Sequence, residues 1–230
     1  MTADSAGARC EIRSGSRLLD ELSTMPHGII GIVASGKMGK SALAFTIADT
    51  VPGLKDRPHY LYETFAADLS CFPGFTCITD LDDAPPGSVV VIEDLGRIFA
   101  ARGSAQNSLL PRWLGIISHK SIVVIFTIQN LSDADISLFR SQNFVELHKI
   151  MWDEDIEFER SEFREAAMYA NLMIRRYAGE HPDIPIRAMV FSPRWSEVSA
   201  WPLVPWWSDD CAHFLRDVRV AEESSRRSRA

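Results

Sequence analysis

Apolar residues along this chain fall into short unbroken runs separated by polar or glycine-containing segments. Gly28-Ile-Ile-Gly-Ile-Val33, Pro58–Tyr62, Ser88–Ile92, Ile122–Ile128 and Phe144–His148 each have the length of a strand. Ser88–Ile92 and Ile122–Ile128 carry β-branched residues without polar alternation, as strands covered on both faces of a parallel sheet do. Helical stretches lie between them, at Ala42–Ala48 and at roughly 95–101, 107–118 and 132–140. Pro52-Gly53, Pro73-Gly74 and Pro85-Pro86-Gly87 mark the turns. Strands alternating with helices predict an α/β fold, a doubly wound, mostly parallel sheet of about five or more strands flanked by helices. In such a sheet the binding residues stand at the C-terminal ends of the strands.

The pattern divides the chain into four parts. Residues 1–26 read as an N-terminal arm or interface segment outside the core, with a short helical candidate at Ser16–Leu22. Residues 27–150 form the α/β core. Residues 151–222 are a helical and Trp/Pro-rich extension packed on the core or on a neighbour. Its long amphipathic helix, Glu157–Tyr177, has Phe163, Ala166, Ala167, Ala170, Leu172 and Ile174 as inward positions, and a short helix is expected near Asp209–Val218. Residues 223–230, with Arg226, Arg227 and Arg229, are a basic tail expected to be disordered. Trp195, Trp201, Trp206 and Trp207, interleaved with Pro193, Pro202 and Pro205, must bury a large area, on this subunit's core or against a partner.

Composition narrows the picture modestly. The 230 residues are 46% hydrophobic and 24% charged, which suits a soluble domain with a core large enough to be stable alone. A net charge of −7 argues against coating nucleic acid over the whole surface, but leaves room for a few basic contacts in a channel. Cys10, Cys71, Cys77 and Cys211 form no CxxC pair and have no His at zinc-finger spacing, so reduced thiols in a cytosolic compartment are expected. No apolar leader opens the sequence, so no secretory signal is expected, and the longest apolar runs are too short to cross a bilayer.

The segment Ala34-Ser-Gly-Lys-Met-Gly-Lys40-Ser41 carries the chemistry. It follows a predicted strand and opens a predicted helix, the context that a phosphate-binding P-loop requires. Ser35, Gly36, Lys37, Met38, Gly39, Lys40, Ser41 and Ala42 are the expected nucleotide-binding residues. Gly36 and Gly39 allow backbone N–H groups to turn toward phosphate oxygens, and the helix N-terminus adds its positive dipole end. Lys40 is assigned to the β- and γ-phosphates and Ser41 to Mg²⁺; Lys37 is either a phosphate ligand in cis or a solvent-facing loop lysine. The first position is Ala34 instead of the usual Gly, a mild departure.

Two further strand ends complete the set. Val89-Val-Val-Ile-Glu93-Asp94 ends in adjacent carboxylates, of which Glu93 is assigned to the metal shell and Asp94 to the attacking water. The order is Glu-Asp instead of the commoner Asp-Glu, so these roles are exchangeable. Thr127-Ile-Gln129-Asn130 places polar groups at the end of the next buried strand. Gln129 is assigned to the γ-phosphate or lytic water, and Ser132 to capping the following helix.

These elements resemble the FtsK–HerA superfamily of ring-forming P-loop ATPases, particularly the small genome-packaging ATPases of membrane-containing viruses and the zonular-occludens-toxin-like phage proteins. The resemblance covers about residues 28–150. It rests on Ala34–Ser41, on Val89–Asp94, and on Trp113–Lys120 leading into Ile122–Gln129. It implies ATP hydrolysis with Mg²⁺, coupled to translocation of double-stranded DNA into a procapsid. It also implies a homo-oligomeric ring, hexamer or pentamer, with a neighbour's arginine completing each nucleotide site. Candidates for that arginine are Arg112 and Arg140, with Arg102 and Lys120 as further cations. DNA would be gripped through its phosphate backbone, with Arg102, in the loop 101–108, and Arg57 as candidates and Arg175 and Arg176 as weaker ones. A capsid vertex or portal protein is an implied partner, and the host cytoplasm or the virion packaging vertex the implied location. A nucleotide-kinase-like phosphotransferase, a helicase-loader-like ATPase switch and a P-loop scaffold of low turnover are the alternatives.

Overall fold

The computed structural model describes residues 16–63, 68–97, 109–134, 136–139, 143–183, 186–192 and 195–215. In chain order the elements are α1 (Ser16–Ser23), β1 (Gly28–Val33), α2 (Lys40–Thr50), β2 (His59–Tyr62), β3 (Phe75–Ile78), β4 (Val89–Ile92), α3 (Leu109–His119), β5 (Val123–Ile128), α4 (Ile136–Phe139), β6 (Phe144–His148), α5 (Asp153–Phe158), α6 (Ser161–Glu180), β7 (Ile186–Phe191) and β8 (Ser196–Trp201). A last helix covers 209–215.

The described strands form one eight-stranded sheet in the order β3-β2-β4-β5-β1-β6-β7-β8. The first six run parallel, and β7 and β8 close one edge as an antiparallel pair. β1, β4 and β5 are buried at every position, which explains their unbroken apolar sequences. β5 lies between β1 and β4, so the strand feeding the P-loop and the strand ending in Glu93-Asp94 are separated by the strand ending in Gln129. At Gly31 a Cβ would sit 2.8 Å from the ring of Phe126 and 2.9 Å from that of Phe144, so only glycine lets these rings lie against β1.

Apolar layers cover both faces. On one, α2 is buried from Ala42 to Ala48 between the sheet and a layer built from α1 and the C-terminal segment. On the other, α3, α4 and the start of α6 pack over β4, β5 and β6. The rest of α6 covers β7 and β8 through Ala170, Met173, Ile174 and Tyr177.

Five predicted strands correspond to β1, β2, β4, β5 and β6, and the predicted fold class is observed. Several expectations are corrected. α1 is not an arm outside the core, because Leu18 and Leu22 are fully buried against it. The extension is not only helical, since it supplies β7 and β8 to the same sheet. The short edge strand β3 was not foreseen. The helix expected over 132–140 is a 3₁₀ turn, Leu131–Asp133, followed by α4, with the backbone extended at Ala134. The predicted amphipathic helix begins only at Ser161, and its Leu172 faces solvent while Ala167, Ala170 and Ile174 point inward. Of the segment 95–101, Leu95–Arg97 is a 3₁₀ turn and the remainder lies outside the described residues, as does the tail 223–230.

The tryptophans serve this subunit's own core. Trp201 is buried, Trp206 Nε1 donates to Asp49 Oδ2 at 3.1 Å, and Trp207 lies 5.6 Å from the Phe45 ring. Trp195 Nε1 donates to Glu21 on α1 at 3.1 Å, so the segment also binds the N-terminal helix to the domain.

Candidate functional site

The P-loop crosses from the end of β1 to the start of α2. Gly39 adopts φ 74°, and Lys37 also lies in the left-handed region at φ 63°. Such angles favour glycine and cost other residues about 1 kcal/mol, so the loop's shape is imposed at Lys37 by its surroundings. Two of those restraints are Ala34 N, which donates to Ile128 O at 3.3 Å, and Ser35 N, which donates to Ile150 O at 3.3 Å. Lys40 Nζ donates to the loop carbonyls of Ala34 at 2.7 Å and Ser35 at 2.9 Å, an arrangement that draws the ammonium across the loop mouth.

Glu93 stands beside this loop because β4 ends level with it, two strands away. Its carboxylate is buried, and Oε2 accepts from Ser41 Oγ at 2.8 Å and from Thr127 Oγ1 at 3.1 Å. Thr127 Oγ1 in turn accepts from Asp94 N at 2.9 Å, so one hydroxyl joins the acidic strand end to the neighbouring strand. Asp94 itself adopts φ 57°, an unusual conformation for a non-glycine residue and one that recurs at functional sites.

A cavity of about 650 Å³ opens in front of these groups. Gly36, Lys37, Gly39, Lys40, Ser41, Ala42, Asp94, Thr127 and Gln129 line one part of it, and residues of the C-terminal segment line the rest. Cations, helix N-terminal amides and hydroxyls therefore line the cavity together with a carboxylate and a carboxamide. That is a donor set for a polyphosphate and an attacking water. Ser41 Oγ and Glu93 Oε2 also supply paired hard oxygens where Mg²⁺ of a bound nucleotide would lie. Among the described residues no group of three or more His, Cys, Asp or Glu could hold a metal. The pair thus fits Mg²⁺, which takes most of its shell from phosphates and water, and not a cage built by protein alone.

The other predicted residues fall in different places. Ser35 does not face the cavity. Its Oγ donates to Asp155 and accepts from Trp152 N at 2.7 Å, which fastens the loop to α5, while its carbonyl holds Lys40. Met38 is half-buried and outside the cavity lining. Arg112, on α3, pairs with Asp82 and lies 3.6 Å from Asp80 on an exposed surface. These carboxylates, Asp82 first, raise its pKa further. Lys120 Nζ donates to the Asp82 carbonyl at 2.6 Å on the same surface. Arg57 donates to the carbonyls of Gly53, Pro26 and Met25, tying the α1–β1 connection to the α2–β2 connection, at the sheet end away from the P-loop. Arg102 and Arg140 lie outside the described residues.

Several site residues escaped the sequence pattern. Ser132 does not cap a helix. Buried Glu159 instead accepts from Leu131 N at 2.7 Å and Ser132 N at 3.2 Å, as well as from Ser132 Oγ at 3.0 Å. It thereby fixes the turn directly after Gln129, and burial raises its own pKa. Asp133 is raised by burial and by the Asp94 carboxylate. Lys149, buried just after β6, carries an ammonium 4.0 Å from where a Cβ on Gly39 would stand. Burial, Arg187 and Lys40 push its pKa down to about 8. Lys149 lies about 110 residues from the loop in sequence, so nothing in the local pattern marks it as the loop's neighbour.

No family model and no curated protein matches this chain. Solved structures do. The DNA-packaging ATPase B204 of Sulfolobus turreted icosahedral virus superposes with a TM-score of 0.53 at 12% identity, over 79% of this chain and 100% of that one. The genome-packaging NTPase B204 of Sulfolobus turreted icosahedral virus 2, in complex with sulfate, gives 0.52 at 11% identity, over 76% and 96%. The chain has the P-loop NTPase fold. ATPases 2 and 3 of EssC from Geobacillus thermodenitrificans match at a TM-score of 0.50 and 14% identity, over 90% of this chain and 44% of that one. At 11–14% identity these neighbours bear on the fold alone.

Proposed function

We propose that this chain is an ATP-hydrolysing DNA translocase, a motor that drives double-stranded DNA into a procapsid. The observation that carries the hydrolytic reading is the junction of Lys40, Ser41, Glu93 and Thr127 at the mouth of one cavity with Asp94 and Gln129. Support for the packaging role comes from the likeness of fold to two viral packaging NTPases, over 76% and 79% of this chain.

In this reading Lys40 leaves the Ala34 and Ser35 carbonyls to hold the β- and γ-phosphates, and the α2 N-terminus receives the remaining charge. Mg²⁺, when bound, neutralises charge on the β- and γ-phosphates. Ser41 and Glu93 are the side chains that would hold it. Gln129 orients a water in line with the γ-phosphorus and Asp94 accepts its proton. A bond forms from water oxygen to phosphorus, the bond to the β–γ bridging oxygen breaks, and ADP and phosphate leave. An arginine from the next subunit of a homo-oligomeric ring, with Arg112 and Arg140 as candidates, stabilises the departing charge. Arg102 is proposed for the DNA backbone. The working location is the host cytoplasm or the packaging vertex, against a capsid or portal protein.

Steady-state ATPase rates with and without long duplex DNA test the reading, on the native chain and on Lys40→Ala. DNA-stimulated turnover that disappears in the variant is expected. Turnover that ignores DNA but rises with a nucleoside monophosphate would instead establish a phosphotransferase.

A further inference from the structure

The cavity in front of the P-loop has two unlike ends. One is the polar set already described. The other is built by Trp207, Ala212, His213 and Leu215, from a segment more than 160 residues further along the chain. A triphosphate accounts for the first end and leaves the second unexplained.

The direction of the loop links the two. Lys40, Ser41 and Ala42 form the first turn of α2, and in the nucleotide-binding reading their N–H groups would receive successive phosphates outward from the loop. With the γ-phosphate toward Asp94 and Gln129, the α-phosphate falls at Ala42, and the nucleoside continues past it. Ala42 lines the same cavity as the C-terminal residues. The surface it meets there combines an indole, an imidazole and aliphatic groups, the chemistry that a flat heteroaromatic ring stacks upon.

This wall is built in advance. Val204, Cys211 and Leu215 are buried. Trp206 is fastened to Asp49 on α2, and Cys211 Sγ donates to Cys71 O at 3.2 Å. Trp207 is braced by Phe45 of α2, while Ala212 and His213 remain exposed. The ring faces available to a ligand are therefore held in register with the phosphate loop, by contacts to the helix that the loop begins.

We propose that the segment Val204–Leu215 is the nucleobase-binding wall of this site, with Trp207 and His213 in contact with the base. The inference rests on the nucleotide-binding reading and adds which residues recognise the part of the ligand that the P-loop ignores. Its consequence is that base recognition and phosphate recognition are separable by mutation.

Calorimetric titration with two ligands tests this: a non-hydrolysable ATP analogue, and inorganic tripolyphosphate, which shares the phosphates and lacks the base. Trp207→Leu should weaken the analogue by about tenfold, within the range of one lost stacking contact, and leave tripolyphosphate unchanged. His213→Ala should act in the same sense, to a smaller extent. Lys40→Ala should weaken both ligands. If Trp207→Leu does not fold, His213→Ala carries the test together with the intrinsic tryptophan fluorescence of the native chain, which the analogue should change and tripolyphosphate should not. Equal effects on both ligands, or none on either in folded variants, overturn the base-wall assignment. Unchanged affinities in Lys40→Ala would overturn the nucleotide reading itself, whatever Trp207 does.

Discussion

Replacing Lys149 by methionine should make this protein more stable at neutral pH, although it removes a charge beside the phosphate loop. The residue is 8% exposed, and its Nζ donates to Arg187 O at 3.3 Å. Burial, followed by Arg187 and Lys40, lowers its pKa from 10.5 to about 8. At about 1.4 kcal/mol per pH unit, holding the ammonium charged in the fold costs about 3 kcal/mol below pH 8. Methionine fills a similar volume without charge, and losing the hydrogen bond returns about 1 kcal/mol. The net gain expected at pH 7 is therefore about 2 kcal/mol. The folded group binds fewer protons than the unfolded one between pH 8 and 10.5, so native stability rises through that window and the variant's advantage shrinks. Above it only the lost hydrogen bond remains, and the variant ends about 1 kcal/mol less stable than the native chain. Urea unfolding of both chains at pH 7, 8.5 and 10 measures it. A variant less stable than the native chain at pH 7, or a difference constant across the three pH values, refutes the reasoning.

Three other substitutions and reactivities separate the roles assigned above. Asp94→Asn should lower ATP turnover by about 10²- to 10⁴-fold while keeping affinity for a non-hydrolysable analogue; if Glu93→Gln shows that behaviour and Asp94→Asn does not, the two carboxylates exchange roles. Ser35→Ala should lower stability by about 1–3 kcal/mol in urea melts, because Trp152 N and Asp155 lose their shared partner. A neutral result would mean that α5 does not restrain the loop. The Cys71 thiol, pushed from 9.0 up to about 11 by burial and the Cys211 thiol, should alkylate about 100-fold more slowly at pH 8 in the native chain than in urea, as read by mass spectrometry. Equal rates in both states would remove Cys71 from contact with Cys211.

What was legible in the sequence was chemistry that is local in the chain. Ala34 through Ser41 must be contiguous because one turn of backbone wraps one phosphate, so the P-loop is written in eight residues. Glu93 and Gln129 could be found because each follows a fully buried strand, and such strands announce themselves by unbroken apolar runs. β7 and β8 were missed because an antiparallel edge pair is not an apolar block. Their sequences carry Arg187, Glu197 and Ser199, the last two buried despite being polar, next to residues that look like a tryptophan-rich loop.

The sequence by itself therefore determined the fold class, the phosphate loop and the acidic strand end. Each depends on residue types at fixed short spacing, which backbone geometry converts directly into position. Only the tertiary structure decided that α1 is core, that the Ser35 hydroxyl anchors the loop to α5, and that Glu159 fixes the turn after Gln129. It alone brought Lys149 next to Gly39, and Trp207 and His213 into the cavity that Ala42 lines. Those pairings span from about 28 to about 170 residues of chain. They are set by which strand lies beside which and which helix covers which face, a property of the packed sheet that no window of the sequence contains.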